Sequence, residues 1–333
     1  MTSTEKKIKA LGLSSGGLDS ILAGMVLKEQ GVWVEWVAFE TPFFSADKAK
    51  MASERTGIPL YVRTITDRYM PMLLAPKAGY GKHMNPCMDC HALMLRLAGE
   101  MMAEVGASFL FSGEVVGQRP MSQTMPSLRY VEKNSDMDGY ILRPLSAKLL
   151  PETMMEQNGW VDREKLYDFS GRNRKPQMAL AKELGIDVYP TPGGGCLLTE
   201  EKYSRRLKDL IAHQSQYPEY QLELLEWGRH LRISPETKLI VGRTQSENED
   251  IRKRVQAETD IILKTEKAPG PIAVICGNTA SEKDIEICAA ICAGYSKAVN
   301  GEQAVVRVEM PQEPFRYVEV VPQTPLENQK YLL

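Results

Sequence analysis

Ser14-Ser15-Gly16-Gly17-Leu18-Asp19-Ser20 is the stretch on which the reading of this chain turns. An apolar run (Ile8, Ala10, Leu11, Leu13) leads into it, and Ile21–Leu27 follows with a helix-like pattern. A strand, a glycine-rich turn and a helix in that order form a phosphate cradle. The glycines let backbone N–H groups approach an anion, and the helix dipole adds positive potential. A Walker A loop carries lysine directly before its terminal Ser or Thr. Here Leu18-Asp19 stands before Ser20, so the loop is unsuited to γ-phosphate transfer. The bland alternative is a serine-rich turn after a strand.

Working outward, 333 residues suggest two domains, or one with a large appendage. A hydrophobic share of 43% with 25% charged residues is ordinary for a soluble globular protein. No apolar run approaches the roughly 20 residues that a bilayer span needs. Met1–Lys7 lacks the apolar core of a secretory signal, so a cytoplasmic protein without a membrane partner is expected. A net charge of −2 argues against an extended basic face. Arg172–Lys175 and Arg205–Lys208 are the best local basic candidates, each set against an ordinary solvated face.

Strand and helix patterns alternate through the first half. Strands are predicted over 8–13, 32–39, 60–65 and 108–112, with helices over 19–29, 46–56 and 87–105. That order predicts an α/β fold, a parallel sheet wrapped by helices on both faces. Ligands of such sheets sit beyond the carboxyl ends of the strands, where the glycine-rich loop and segments 39–44 and 113–123 would meet. After residue 204 the character changes. Helices over 200–214, 219–231, 247–258 and 282–298 mix with short strands over 238–242, 260–264, 272–276, 304–309 and 317–321. The expected organisation is a domain over 1–204 and a smaller α+β module over 205–333, with RNA binding as a candidate role.

Structural disulfides are not expected in a cytoplasmic chain with six cysteines. Cys276, Cys288 and Cys292 lie in apolar runs and read as small core residues. Cys87 and Cys90 differ. Asn85 reads as an N-cap and Pro86 as the first helical residue, which puts both thiols in the first helical turn, where thiolate is favoured. Cys196 ends a run of three glycines that leaves room for a bulky object. The residues leave three chemistries open. One is a closed zinc site with His83 or His91 as fourth ligand. The second is a [4Fe-4S] cluster on three cysteines with one iron open to an external sulfur or substrate. The third is persulfide or disulfide chemistry without metal.

The loop resembles the SGGxDS signature of the PP-loop ATP pyrophosphatases, a HUP-like, Rossmann-type fold that cleaves ATP between the α and β phosphates. Gly113-Glu114-Val115-Val116-Gly117-Gln118-Arg119-Pro120-Met121-Ser122-Gln123-Thr124 resembles the GQxxSQT segment of the tRNA 4-thiouridine synthetase catalytic domain, with one extra residue between Gln118 and Ser122. Leu142-Arg143-Pro144-Leu145 follows, as in that family, and the CxxC with a later cysteine is similar to the cluster-dependent tRNA thiolation enzymes. The resemblance covers residues 8–200.

It implies ATP-dependent thiolation of a tRNA uridine. Ser14, Ser15, Gly16, Gly17, Leu18, Asp19 and Ser20 would hold the pyrophosphate of ATP, with Asp19 helping to bind Mg2+. Phe39, at the end of the second strand, would lie near the adenine, and Gly113, Gln118 and Gln123 beside the nucleotide or base. Cys87, Cys90 and Cys196 would carry the sulfur chemistry as cluster ligands or persulfide, with sulfur from free sulfide or a separate carrier. Arg119, Arg143, Arg172, Arg174 and Lys175 are candidate phosphate contacts. No THUMP-type domain precedes the loop strand and no rhodanese-like tail is evident, so the module after residue 204 is expected to help bind tRNA. Homodimerisation stays open. Two rival readings remain: a PP-loop amidotransferase or ligase acting on a small molecule, and a non-catalytic RNA-binding protein.

Overall fold

The β1 strand (Lys9–Leu13) is the axis on which the first part of the molecule is built. In the computed structural model, which describes residues 8–189, 195–277, 279–298 and 302–333, the chain divides into two units, residues 1–196 and 197–333. From β1 the first unit runs through α1 (Leu18–Glu29), β2 (Trp33–Glu40), α2 (Asp47–Thr56), β3 (Leu60–Thr64) and α3 (Thr66–Leu74). It continues with α4 (Cys87–Val105), β4 (Phe109–Ser112), α5 (Met125–Asn134), β5 (Ile141–Leu142), α6 (Met154–Gln157) and α7 (Lys175–Glu183). All five strands pair in parallel, in the order β3-β2-β1-β4-β5.

This topology places the site. The strand order reverses at β1, whose neighbours β2 and β4 leave in opposite directions, and ligands of such sheets bind in the crevice at that point. The register makes the crevice specific. Leu13 is level with Val37 on one side and Ser112 on the other, so the loops that begin at Ser14 and Gly113 emerge side by side. Beneath them lies a core of Leu22, Leu27, Trp36, Phe109 and Phe111, all 1% exposed or less. The α/β reading of this half holds. Helices α3, α5 and α7 were not legible in the sequence.

The second unit opens with α8 (Glu201–His213) and α9 (Glu219–Leu224). Then come β6 (Arg229–Arg232), β7 (Lys238–Val241), α10 (Gln245–Arg254), β8 (Ile261–Thr265), β9 (Ala273–Ile275), α11 (Glu282–Gly294), β10 (Ala304–Glu309) and β11 (Arg316–Val320). The sheet is wholly antiparallel, ordered β11-β10-β8-β9-β7-β6. One core joins α11 to this sheet and buries Cys288 and Cys292 completely, as their spacing predicts. A smaller core gathers Leu224, Ile240, Ile251, Ile272 and Val274. Cys276 corrects the expectation for a core residue: it lies one place past β9 and is only half-buried. The helix predicted over 219–231 stops at Leu224, a turn follows, and Arg229–Arg232 forms a strand paired with β7.

Candidate active site

The glycine-rich loop is shaped by its own side chains. Ser14 Oγ accepts from the Gly16 N–H at 3.2 Å, Ser15 Oγ from the Gly17 N–H at 3.4 Å, and Ser20 Oγ donates to the Gly17 carbonyl at 2.8 Å. Gly16 has φ +68°, and a Cβ there would sit 2.1 Å from the Lys48 carbonyl carbon, so the loop lies directly on the first turn of α2. Gly17 stands at the N-cap of α1 with no side chain capping the helix. The first-turn N–H groups, beginning at Leu18, therefore remain for an anion. Gly113 serves as a spacer: its Cβ would meet the Asp19 and Ser20 backbone at 2.5 Å. Phe39 is 5% exposed, buried in β2.

Asp19 is the hub of a polar chain. Gln118 Nε2 donates to Asp19 Oδ2 at 2.7 Å, and Gln177 Nε2 donates to Gln118 Oε1 at 3.0 Å. Arg174 reaches the same Asp19 oxygen at 3.9 Å. Asp19 Oδ1, Gln123 Oε1, Arg174 Nε and Gln177 Oε1 are buried without a hydrogen-bond partner in the described structure. Orphaned buried polar atoms beside an uncapped helix start are what a magnesium-bound polyphosphate would satisfy. The residues fit ATP and Mg2+. Sequence reasoning missed Gln177, whose signal was only its place three residues after Arg174, and missed Lys48 and Arg55. The last two line a cavity of about 270 Å3 beside Gly16 with Met51, Ile186 and Val188, and make no ion pair among the described residues. Their spacing of seven on α2 was the available clue.

Tyr69 lies within electrostatic reach of all three thiols. Burial first, then the sulfurs of Cys90, Cys196 and Cys87, push the Tyr69 phenol well above its usual range. Cys90 is itself raised, chiefly by burial, with Cys196 and Cys87 adding to it. Phe43 and Phe44 wall the tyrosine, with ring centroids 5.6 and 5.5 Å from it. A Cβ on Gly195 would lie 3.9 Å from Lys48 Nζ, and Lys48 is the residue on which Gly16 packs. Gly195, the residue before Cys196, thus lies near Lys48. Residues 190–194 of the glycine run lie outside the described residues.

The start of α4 differs from expectation. Pro86 is the N-cap and Cys87 the first helical residue, while Asn85 donates its amide to Cys87 Sγ at 3.2 Å. Asp89, between the thiols, anchors the turn by accepting from the Ala78 N–H at 2.8 Å and the Tyr130 hydroxyl at 2.7 Å. His91 is held by a carboxylate. Its Nδ1 meets Glu114 Oε1 at 2.7 Å, and Glu114 Oε2 accepts from Arg143 Nε at 3.0 Å and Ser112 Oγ at 3.0 Å. Among the described residues, no group of three or more His, Cys, Asp or Glu is disposed to hold a metal ion. Arg143, a candidate phosphate contact, is 2% exposed and joins Glu114 to Glu132, so it is a structural clamp. Arg206, from the second basic candidate, is likewise buried; it donates to the carbonyls of Leu225 and Gly228, in the turn after α9, at 2.7 and 2.8 Å.

Burial alone would raise the Glu114 pKa, but Arg143 and then His91 outweigh it and hold the carboxyl at about 2. A depressed carboxyl contributes stability that is present above its unfolded value and lost as pH falls through the folded one. The first unit is expected to lose on the order of 3 kcal/mol from this group between about pH 4.5 and pH 2. Acid unfolding followed by circular dichroism checks this; a baseline flat to pH 2 would contradict it.

Residues 5–148 match the family model described as thiamine biosynthesis protein (ThiI). A probable tRNA sulfurtransferase of Staphylococcus aureus strain JH1 is 31% identical over 147 residues, 41% of this chain and 34% of that relative. The chain thus spans about a third of the length of the curated relatives it matches. Residues 228–332 match a second model, the NFACT protein RNA binding domain. Among solved structures, a 4-thiouridine synthetase–RNA complex with bound ATP is 23% identical, with a TM-score of 0.34, covering 54% of this chain and 51% of that one. A predicted subunit of tRNA methyltransferase from Methanocaldococcus jannaschii is 16% identical, also with a TM-score of 0.34, covering 53% and 76%. No helix among the described residues is long and apolar enough to cross a membrane.

Proposed function

We propose that this protein thiolates a tRNA uridine at the expense of ATP, the first unit holding ATP and the reacting base and the second helping to hold the RNA. The observation that supports the reading is that Cys87, Cys90 and Cys196 all act electrostatically on Tyr69, in the unit that bears a lysine-free phosphate loop. The tRNA sulfurtransferase relatives of the first unit and the RNA-binding match of the second support it.

In this scheme the loop N–H groups from Ser15 to Leu18 hold the β and γ phosphates, and Asp19 holds Mg2+. Lys48, Arg55, Arg119, Arg172, Arg174 and Lys175 supply positive charge for phosphates of nucleotide and RNA. The uracil leaves its stack, at a cost of a few kcal/mol, to reach the loop. Its carbonyl oxygen attacks the α-phosphorus, pyrophosphate departs, and the oxygen becomes part of an AMP leaving group. A sulfur nucleophile adds to the same ring carbon and AMP is expelled.

Cys87, Cys90 and Cys196 would hold a [4Fe-4S] cluster, which would supply an open iron for an external sulfur. Three thiols are the donor type that such a cluster takes. Cys90, kept as a thiol by burial, would ionise beside such a cationic partner. Persulfide transfer among the same thiols is the other chemistry they could perform.

Nucleoside mass spectrometry of tRNA incubated with protein, ATP, Mg2+ and sulfide is the test. Cys87→Ala, Cys90→Ala and Cys196→Ala are each expected to abolish the thionucleoside while ATP affinity stays within two-fold. Full thiolation by Cys196→Ala would overturn the assignment, and ATP cleavage stimulated by a small amine but not by tRNA would favour amidation.

A further inference from the structure

We infer that Gln177 is a positioning residue that fixes the magnesium-binding carboxylate of Asp19 through Gln118, as a one-way relay of hydrogen bonds; this rests on the functional reading above. The argument is one of donors and acceptors. An ionised carboxylate only accepts, so the Gln118 side chain must turn its NH2 toward Asp19 Oδ2, 2.7 Å away. Its carbonyl oxygen then faces outward as an acceptor, and Gln177 must meet it with an NH2, at 3.0 Å. Asp19 thereby sets the direction of both amides, an ordering that needs no knowledge of which atom is nitrogen in either.

The relay starts from a rigid base. Gln177 is 1% exposed and lies in the first turn of α7, three residues after Arg174, which comes within 3.9 Å of Asp19 Oδ2. The chain leaves Asp19 Oδ1 as the uncommitted oxygen, buried and without a partner. With Oδ2 tied to Gln118, the remaining oxygen is the one that can take a cation, and its direction is set before magnesium arrives. Without Gln177, Gln118 can swing away, and Asp19 can turn Oδ1 toward Arg174.

The full-length chain is titrated with the α,β-methylene analogue of ATP, with and without Mg2+, by calorimetry. Wild type should bind the analogue more tightly with Mg2+. Gln177→Met, which keeps the volume, should cut the magnesium-dependent gain by about ten-fold and leave magnesium-free affinity within two-fold. Gln177→Glu, which cannot donate, should do the same and so guards against a folding defect of the first variant. Because Gln177 acts through Gln118, the double variant Gln118→Leu/Gln177→Met should lose no more than Gln118→Leu alone. Equal losses with and without Mg2+, or additive losses in the double variant, would overturn the relay. Unchanged binding by both Gln177 variants would do so too and leave the functional reading standing. Failure of the wild type to bind any nucleotide would overturn that reading and the relay with it.

Discussion

Gly16→Ala is expected to destabilise the first unit by about 2–5 kcal/mol and to abolish nucleotide binding. Two costs combine. A side chain at φ +68° enters the left-handed region, at about 1–2 kcal/mol. The new methyl group would also meet the Lys48 carbonyl carbon at 2.1 Å, which is backbone and cannot rotate away. Overpacking of that kind costs about 1–3 kcal/mol. For a unit of this size the melting temperature should fall by about 5–15 °C. The effect on binding is the larger one, because relief comes by lifting the loop from α2 and dispersing the N–H groups that converge on the phosphates. Scanning calorimetry and an ATP titration on one preparation check both parts. An unchanged melting temperature with normal binding would refute the packing of Gly16 on Lys48.

Arg143→Met should be as severe, for a different reason. The guanidinium is 2% exposed and faces Glu114, itself 6% exposed. Removing one partner of a buried pair leaves an uncompensated charge, which costs about 3–5 kcal/mol. Glu114 would respond by rising from about 2 toward or above the ordinary glutamate range, and its hold on His91, next to Cys90, would weaken. Adding Glu114→Leu should restore most of the loss, since the penalty belongs to the charge left behind. Denaturant unfolding of the single and double variants measures this. Additive losses would show that the two residues do not act as a pair.

The first unit was legible where local chemistry and global topology agree. The run from Ile8 to Leu27 announces strand, loop and helix, and α4 begins at Cys87 where the CxxC pattern places it. Legibility failed where burial decides. Arg143 and Arg206 read as surface charge because sequence shows a cation without showing the carboxylates or carbonyls that surround it. Gln177 was invisible for the same reason: a lone glutamine in an amphipathic helix carries no mark of the oxygen it meets. In the second unit, Leu222, Leu224, Leu225 and Leu231 imitate helical spacing, yet residues 229–232 pair with β7 instead.

Helix α1 is clamped where glycines replace side chains. Gly24 lies against the Trp36 ring, Gly113 against the Asp19–Ser20 backbone, and Gly16 against Lys48. Its own apolar residues are buried nearly all round, so it has no free face on which to slide or tilt. A nucleotide arriving at its N-terminus therefore finds a finished seat and has little ordering to induce there. Discrimination among acceptor molecules then falls to the segments around that seat, and substitutions inside the clamp should change whether ATP binds at all, leaving the choice of what is modified untouched.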